Sequence, residues 1–191
     1  ACEVTRNWRQ HQQLTSLAVL PAYDFKTPTN GIQTMDHVDI RIMDFLQKDG
    51  RVSHSEIAKT LDLSSPTVGE RVKKLENSGV IQRYTCILSP RKLGFNITAF
   101  IGVSLEKPVY GKAFVERILN CPEVLECFHM TGMHDYLLKV RTSTPEALEI
   151  LIENVIRQIE GVADTNTSIV LSITKETTRL SLEHLGETVP K

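Results

Sequence analysis

Apolar residues recur at three- and four-residue steps through Ile40, Ile42, Met43, Phe45 and Leu46. That spacing predicts a helix over residues 39–49. Asp36 or Asp39 can cap its start, and Gly50 is placed to end it. A second helix is predicted over 53–61, where Ser53 and Glu56 are spaced as a capping box and Ile57, Ala58 and Leu61 form the inner face. A turn at 62–64 leads into a third helix. Ser65 is its expected cap, and Pro66 occupies the first helical position, where a missing N–H does no harm. Val68, Val72 and Leu75 share one face, and Gly79 is placed to stop the helix. Residues 81–88 then read as a strand that Pro90 breaks.

Beyond Pro90 the pattern alternates. Residues 97–105, rich in Ile, Phe and Val, read as a strand, and 110–119 as a helix carrying Phe114, Ile118 and Leu119 on one side. Strands are expected over 124–130 and 136–141, separated by a tight polar turn. A helix over 145–159 follows, with Leu148, Leu151, Ile152, Val155, Ile156 and Ile159 on a broad apolar face, then a strand over 162–174. The order β-α-β-β-α-β is the ferredoxin-like pattern. The expected fold is α+β: an N-terminal winged helix-turn-helix (36–92), a ferredoxin-like domain (93–175), and a polar C-terminal tail (176–191), either mobile or a short extra helix. Residues 1–35 have no sustained period and carry Pro21, Pro28, Asn30 and Gly31 as loop punctuation. Met35 is the expected natural start, with the preceding residues an unassigned leader or N-terminal arm.

Length and composition narrow the class without deciding it. The chain has 191 residues, enough for one domain or two small ones. Its 41% hydrophobic and 24% charged residues argue against global disorder. A net charge of −1 excludes a uniformly basic nucleic-acid binder. The charge is uneven, however: residues 64–92 hold six bases against two acids, whereas 93–191 hold nine against thirteen. An anionic partner is therefore expected on the former stretch. No apolar run approaches the roughly 18 residues of a membrane span, and Leu14 to Leu20 is too short and lacks a secretory cleavage pattern. Cys2, Cys86, Cys121 and Cys127 form no C-x-x-C pair, so reduced structural thiols in a cytoplasmic protein are expected, with no membrane partner.

Three short helices followed by a strand define a helix-turn-helix candidate, in which the second helix braces the third and the third enters the DNA major groove. With Val68, Val72 and Leu75 turned inward, Thr67, Glu70, Arg71 and Lys74 point outward and Lys73 lies on the flank. Ser64, Ser65 and Thr67, with the N–H groups of the first turn, are the expected phosphate contacts. Arg71 can read a guanine or hold a phosphate, and Lys73 and Lys74 suit phosphates. Gly69 allows close approach. Glu70 either accepts from cytosine or pairs with Lys74 at i, i+4. No nucleophile elbow, P-loop or zinc-protease motif occurs, so no catalytic residue is assigned and an enzyme is not expected. His129, His134 and Asp135 are near in sequence, but the histidines flank opposite sides of a turn and no third strong ligand is evident. Neither a metal nor a cofactor is assigned.

The segment from Asp39 to Leu93 resembles the DNA-binding half of the Lrp/AsnC (feast/famine) transcription regulators. The likeness rests on Asp39-x-x-Ile42, Asp49-Gly50-Arg51, Glu56-Ile57-Ala58, Leu63-Ser64-x-Pro66-x-Val68, Arg71-Val72-x-x-Leu75-Glu76 and Gly79-Val80-Ile81. From Phe95 onward Pro122-Glu123-Val124, Thr131-Gly132-x-x-Asp135-Tyr136 and Gly161-Val162 resemble the family's effector-binding and assembly domain. The likeness covers about 36–175. It implies a sequence-specific transcription regulator that binds double-stranded DNA. It also implies homodimers built through the ferredoxin-like domain, which associate into octamers or larger rings, and a free amino acid bound between subunits. The effector candidates that follow from it are Met130, Thr131, Gly132, Met133, His134 and Asp135, with Thr165 and Thr167 as weaker ones. Asp135 would pair the ligand's ammonium, and loop N–H groups near Thr131 and Gly132 would hold its carboxylate. Read on its own, Gly132 to Asp135 is a hairpin turn whose glycine takes positive φ and whose aspartate closes a turn hydrogen bond.

Overall fold

A computed structural model describes residues 35–186. The segment 1–34, on which the leader or arm and Cys2 fall, lies outside the described residues, as does 187–191. The chain separates into two compact units. Among the described residues, one holds 91–170 and the other holds 35–90 together with 171–186.

The second unit is built on three helices, α1 (His37–Lys48), α2 (His54–Leu61) and α3 (Ser65–Asn77). Both predicted caps of α1 are used at once: Asp36 Oδ1 accepts the Asp39 N–H at 2.9 Å, and Asp39 Oδ2 accepts the Asp36 N–H at 3.3 Å. This reciprocal box satisfies two donors that the first turn would leave unpaired. Ser53 caps α2 through the Glu56 N–H at 3.2 Å, but its hydroxyl also meets Ser55, and the reciprocal half of the expected box is not formed. The cap of α3 is Ser64 rather than Ser65, which moves Pro66 from the first helical position to the second. Either place spares an intrahelical hydrogen bond. Ile42, Met43, Ile57, Ala58, Val68, Val72 and Leu75 form the buried core of this unit.

Residues 81–88 do not form the expected strand. A strand needs a ladder partner, and among the described residues none pairs with this segment. Ile81 stays near the helices through an N–H bond to Leu75 O at 3.1 Å, whereas Ile87 is 83% exposed. Tyr84 donates to Glu76 Oε1 at 3.0 Å. Burial and that carboxylate push its phenol up to about 12.

Of the two forms expected for the C-terminal stretch, the short extra helix is present at Glu183–Gly186, and the residues before it are tied to α1. The last strand ends at Ile169, not at residue 174, and the following residues join the helical unit. Arg179 Nη2 meets Asp44 Oδ1 on α1 at 2.6 Å. The Gln47 side-chain amide receives the Leu180 N–H at 2.8 Å and donates to the Leu180 carbonyl at 3.3 Å. Leu182 packs on the helical core, and one turn, α6 (Glu183–Gly186), closes the strap.

The other unit comprises β1 (Ile97–Leu105), α4 (Gly111–Leu119), β2 (Val124–His129), β3 (Tyr136–Thr142), α5 (Pro145–Leu151) and β4 (Val162–Ile169). Its sheet has the order β2-β3-β1-β4 with every pairing antiparallel, the ferredoxin-like arrangement. Strand alternation turns Ala99, Ile101, Val103, Leu138 and Val140 into one core with Phe114, Ile118, Leu148, Leu151 and Ile156. The predicted helix 145–159 is α-helical only to Leu151. A wider π turn over Ile152–Ile156 then inserts one extra residue, marked by Arg157 N–H bonding to Ile152 O at 2.9 Å. Beyond this turn Ile156 and Ile159 are buried, while Val155 is only partly buried against the core. The opposite sheet face carries Phe100, Leu137 and Phe128, which the register places on neighbouring strands.

Candidate functional site

Two regions carry the predicted chemistry, one in each unit. In the helical unit the N-terminus of α3 is shaped by its cap. Ser64 Oγ accepts the Thr67 N–H at 3.2 Å and shares a 2.7 Å hydrogen bond with Thr67 Oγ1. Ser64 and Ser65 are exposed and Thr67 is half-buried. Farther along, Glu70, Lys73, Lys74, Asn77 and Ser78 line a shallow groove of about 430 Å³ on the outer face. The i, i+4 ion pair open to Glu70 and Lys74 is not formed among the described residues, and both side chains are exposed.

Two residues stand elsewhere than the sequence suggested. Gly69 faces α2, where a Cβ would lie 3.3 Å from His54 Nδ1; its small size serves helix packing. Arg71 turns toward α1, and its Nη1 donates to Asp36 Oδ2 and Asp39 Oδ1 at 2.7 Å each. Those hydrogen bonds, to Asp36 first and Asp39 second, raise the guanidinium pKa above its usual value. Burial opposes the ionised form of Asp36, but the Asp39 N–H and Arg71 outweigh it and hold this carboxyl below its ordinary value.

In the sheet unit the loop between β2 and β3 is tied to the end of β1. Met130 N–H bonds to Asp135 O at 2.9 Å and Asp135 N–H to Val103 O at 3.0 Å. Asp135 Oδ2 accepts the Leu105 N–H at 2.7 Å, at the point where the β1–β4 register shifts. Gly132 has φ +132, a region that side chains disfavour. Met133 projects into solvent at 88% exposure, and Thr131 is also exposed. His134 lies over Gly102, with Nδ1 3.2 Å from Ser104 Oγ. Thr165 pairs with Val103 from the other side of β1 and accepts from Arg157 Nε at 2.9 Å; Thr167 pairs with Ile101. The sheet thus gathers the loop and Thr165 around Val103, with Thr167 two residues farther along β4.

His129 does not join His134. Its ring stacks on Tyr136 at 4.9 Å, and no cluster of three metal-ligating side chains occurs among the described residues. Cys121 and Cys127 are raised to about 12 and about 11 by burial, so both stay protonated thiols at neutral pH.

Gly102, Ser104 and Leu105 support the loop and were not singled out as functional. A glycine inside an apolar strand was the available signal, since it marks close approach by another group. Gly102→Ala would place a Cβ within the His134 ring. The expected result is a displaced loop, at a cost of about 1–3 kcal/mol in stability. Faster amide exchange at residues 130–135 than in the parent checks it; unchanged exchange would contradict this packing role.

A trihelical unit of helix-turn-helix form joined to a ferredoxin-like unit with an anchored turn is the architecture of a helix-turn-helix transcription regulator with a ligand-binding domain. Comparison with known proteins agrees. Residues 35–82 match the winged helix-turn-helix DNA-binding family, and 98–180 match the Lrp/AsnC ligand binding domain. HTH-type transcriptional regulator FL11 of Pyrococcus furiosus is 38% identical over 149 residues, covering 78% of this chain and 97% of that protein. The leucine-responsive regulatory protein of Escherichia coli K12 is 34% identical over 151 residues, 78% of this chain and 92% of its own length. Among solved structures, a transcriptional regulator from Neisseria meningitidis in complex with L-Met is 35% identical with a TM-score of 0.77, covering 80% of this chain and 99% of that one. The chain belongs to the Lrp/AsnC family of DNA-binding transcription regulators. Its relatives are regulators, and it is a regulator rather than an enzyme. No helix among the described residues is long and apolar enough to cross a membrane.

Proposed function

We propose that this regulator reads operator DNA with α3 and is modulated by a free amino acid held at residues 130–135, at an interface between subunits. The assigned division of labour is 36–92 for DNA binding and 93–175 for effector binding and assembly. Ser64, Ser65 and Thr67 would contact phosphates near the helix start, and Glu70, Lys73 and Lys74 present the outer face to the groove. The observation that carries the effector assignment is the anchored carboxylate of Asp135: one oxygen is fixed by the Leu105 N–H at 2.7 Å, while the residue remains exposed. A carboxylate so held is preorganised to pair an ammonium. The L-Met complex of the N. meningitidis relative supports an amino acid as the ligand class. A two-fold partner seated on the Phe100, Leu137 and Phe128 face would complete a homodimer, and further association an octamer or larger ring.

The test is thermal melting and sedimentation across a panel of free amino acids. A ligand that binds the native state raises the melting temperature. One amino acid is expected to stabilise the protein and shift its assembly. Asp135→Asn, which keeps an oxygen for Leu105 but loses the charge, is expected to weaken that binding about tenfold or more. A flat response across the panel would leave the alternative, a ligand-independent architectural DNA binder of the same fold.

A further inference from the structure

Arg71 belongs to α3 but not to its outer face. It lies three residues after Val68 and four before Leu75, both buried, so it shares their side of the helix. The groove on the outer face is lined by Glu70, Lys73, Lys74, Asn77 and Ser78. Both hydrogens of Arg71 Nη1 are committed, one to Asp36 Oδ2 and one to Asp39 Oδ1, each at 2.7 Å. Asp39 is only 5% exposed, and Asp36 is also the cap of α1. Through Nη1 the three side chains form a clip of one cation and two carboxylates. A DNA phosphate arriving there meets a charge already shared by two anions, within a cluster whose net charge is negative.

We propose that Arg71 is a positioning residue for DNA recognition, one that locks the first turn of α1 to α3 and so sets how α3 presents its outer face. This rests on α3 being the reading helix. A positioning clip and a direct contact differ in three observable ways. A direct phosphate contact contributes about one unit to the salt dependence of binding, and a clip contributes none. A clip discriminates between the correct operator and random DNA, because only the former needs α3 at the right angle. Finally, members of a clip fail together rather than additively.

The experiment is a fluorescence titration of the full chain against a DNA site selected from a random library, and against random duplex, over a salt series. Arg71→Ala is expected to weaken the selected site about tenfold, leave random DNA nearly unchanged and leave the salt slope intact. Asp39→Asn removes a negative charge, which simple electrostatics says tightens DNA binding; the clip requires it to weaken the selected site instead. The double variant is expected to be no worse than Arg71→Ala alone. Asp36→Ser keeps a capping oxygen while losing the charge, so it tests the clip in a folded protein if Arg71→Ala unfolds, and it too is expected to lose the selected site preferentially. A slope reduced by about one for Arg71→Ala, additive losses, or tighter binding by Asp39→Asn would overturn the proposal. Lys74→Ala separates the two assumptions: it is expected to lower the slope by about one, and an unchanged slope removes α3 as the reading helix whatever the clip does.

Discussion

Gly161→Ala is expected to destabilise the sheet unit by about 3 kcal/mol or more, the sum of backbone strain and overpacking. Gly161 has φ +84, in the left-handed region, and its carbonyl accepts the Glu106 N–H at 2.8 Å just before β4. A Cβ there would fall inside the Tyr110 ring, on Cγ and Cβ rather than at a flexible tip, so the ring cannot simply swing aside. Both penalties therefore act together. For a unit of this size about 1 kcal/mol corresponds to roughly 4–8 °C, so the melting temperature should fall by at least about 12 °C. Near-ultraviolet circular dichroism reports the loss, because Tyr110 and Tyr136 both lie in this unit. A shift of only a degree or two would show that the turn relaxes without cost.

Phe114→Ala is expected to cost about 3–5 kcal/mol, from lost burial plus the cavity left behind. Phe114 is fully buried and sits where α4 meets the sheet. Its ring lies 4.7 Å from Tyr136, whose own ring stacks on His129 at 4.9 Å. The cavity would open beneath the strand ends that carry the 130–135 loop, so, if that loop holds an amino acid as proposed, affinity for it should fall along with stability. Denaturant titration at constant slope measures the first effect and calorimetry with the effector the second. Phe114→Leu keeps more of the volume and should lose less of both. Equal losses for Leu and Ala would mean that the aromatic pairing, rather than the filled space, matters here.

What the sequence disclosed was mainly what periodicity encodes. The apolar stripes of α1 to α3 and the strand alternation of β1 and β3 state which side is inward, and burial follows them. The ferredoxin-like order was legible for the same reason, as was the family, through its linked motifs. Geometry that depends on a partner far along the chain was not. The strand expected at 81–88 has the right residues, but β propensity expresses packing against neighbours, and none is present among the described residues. The π turn after Leu151 leaves no mark in the apolar spacing, which runs on through Ile152, Val155, Ile156 and Ile159. At the candidate sites, Asp135 was legible as a turn residue of possible function. Arg71 was read as outward because Val68, Val72 and Leu75 fill the inner face, whereas its partners lie 35 and 32 residues earlier and draw it toward α1.

The C-terminal strap makes the order of synthesis matter. Asp44 and Gln47 wait for partners 135 and 133 residues downstream. On the ribosome, α1 to α3 emerge early, but Arg179, Leu180 and Leu182 follow only after all of residues 91–170. At about 5–20 residues per second that interval is roughly 4–16 s. The sheet unit has its full length available first, and the helical unit, begun earlier, is the later of the two to be closed.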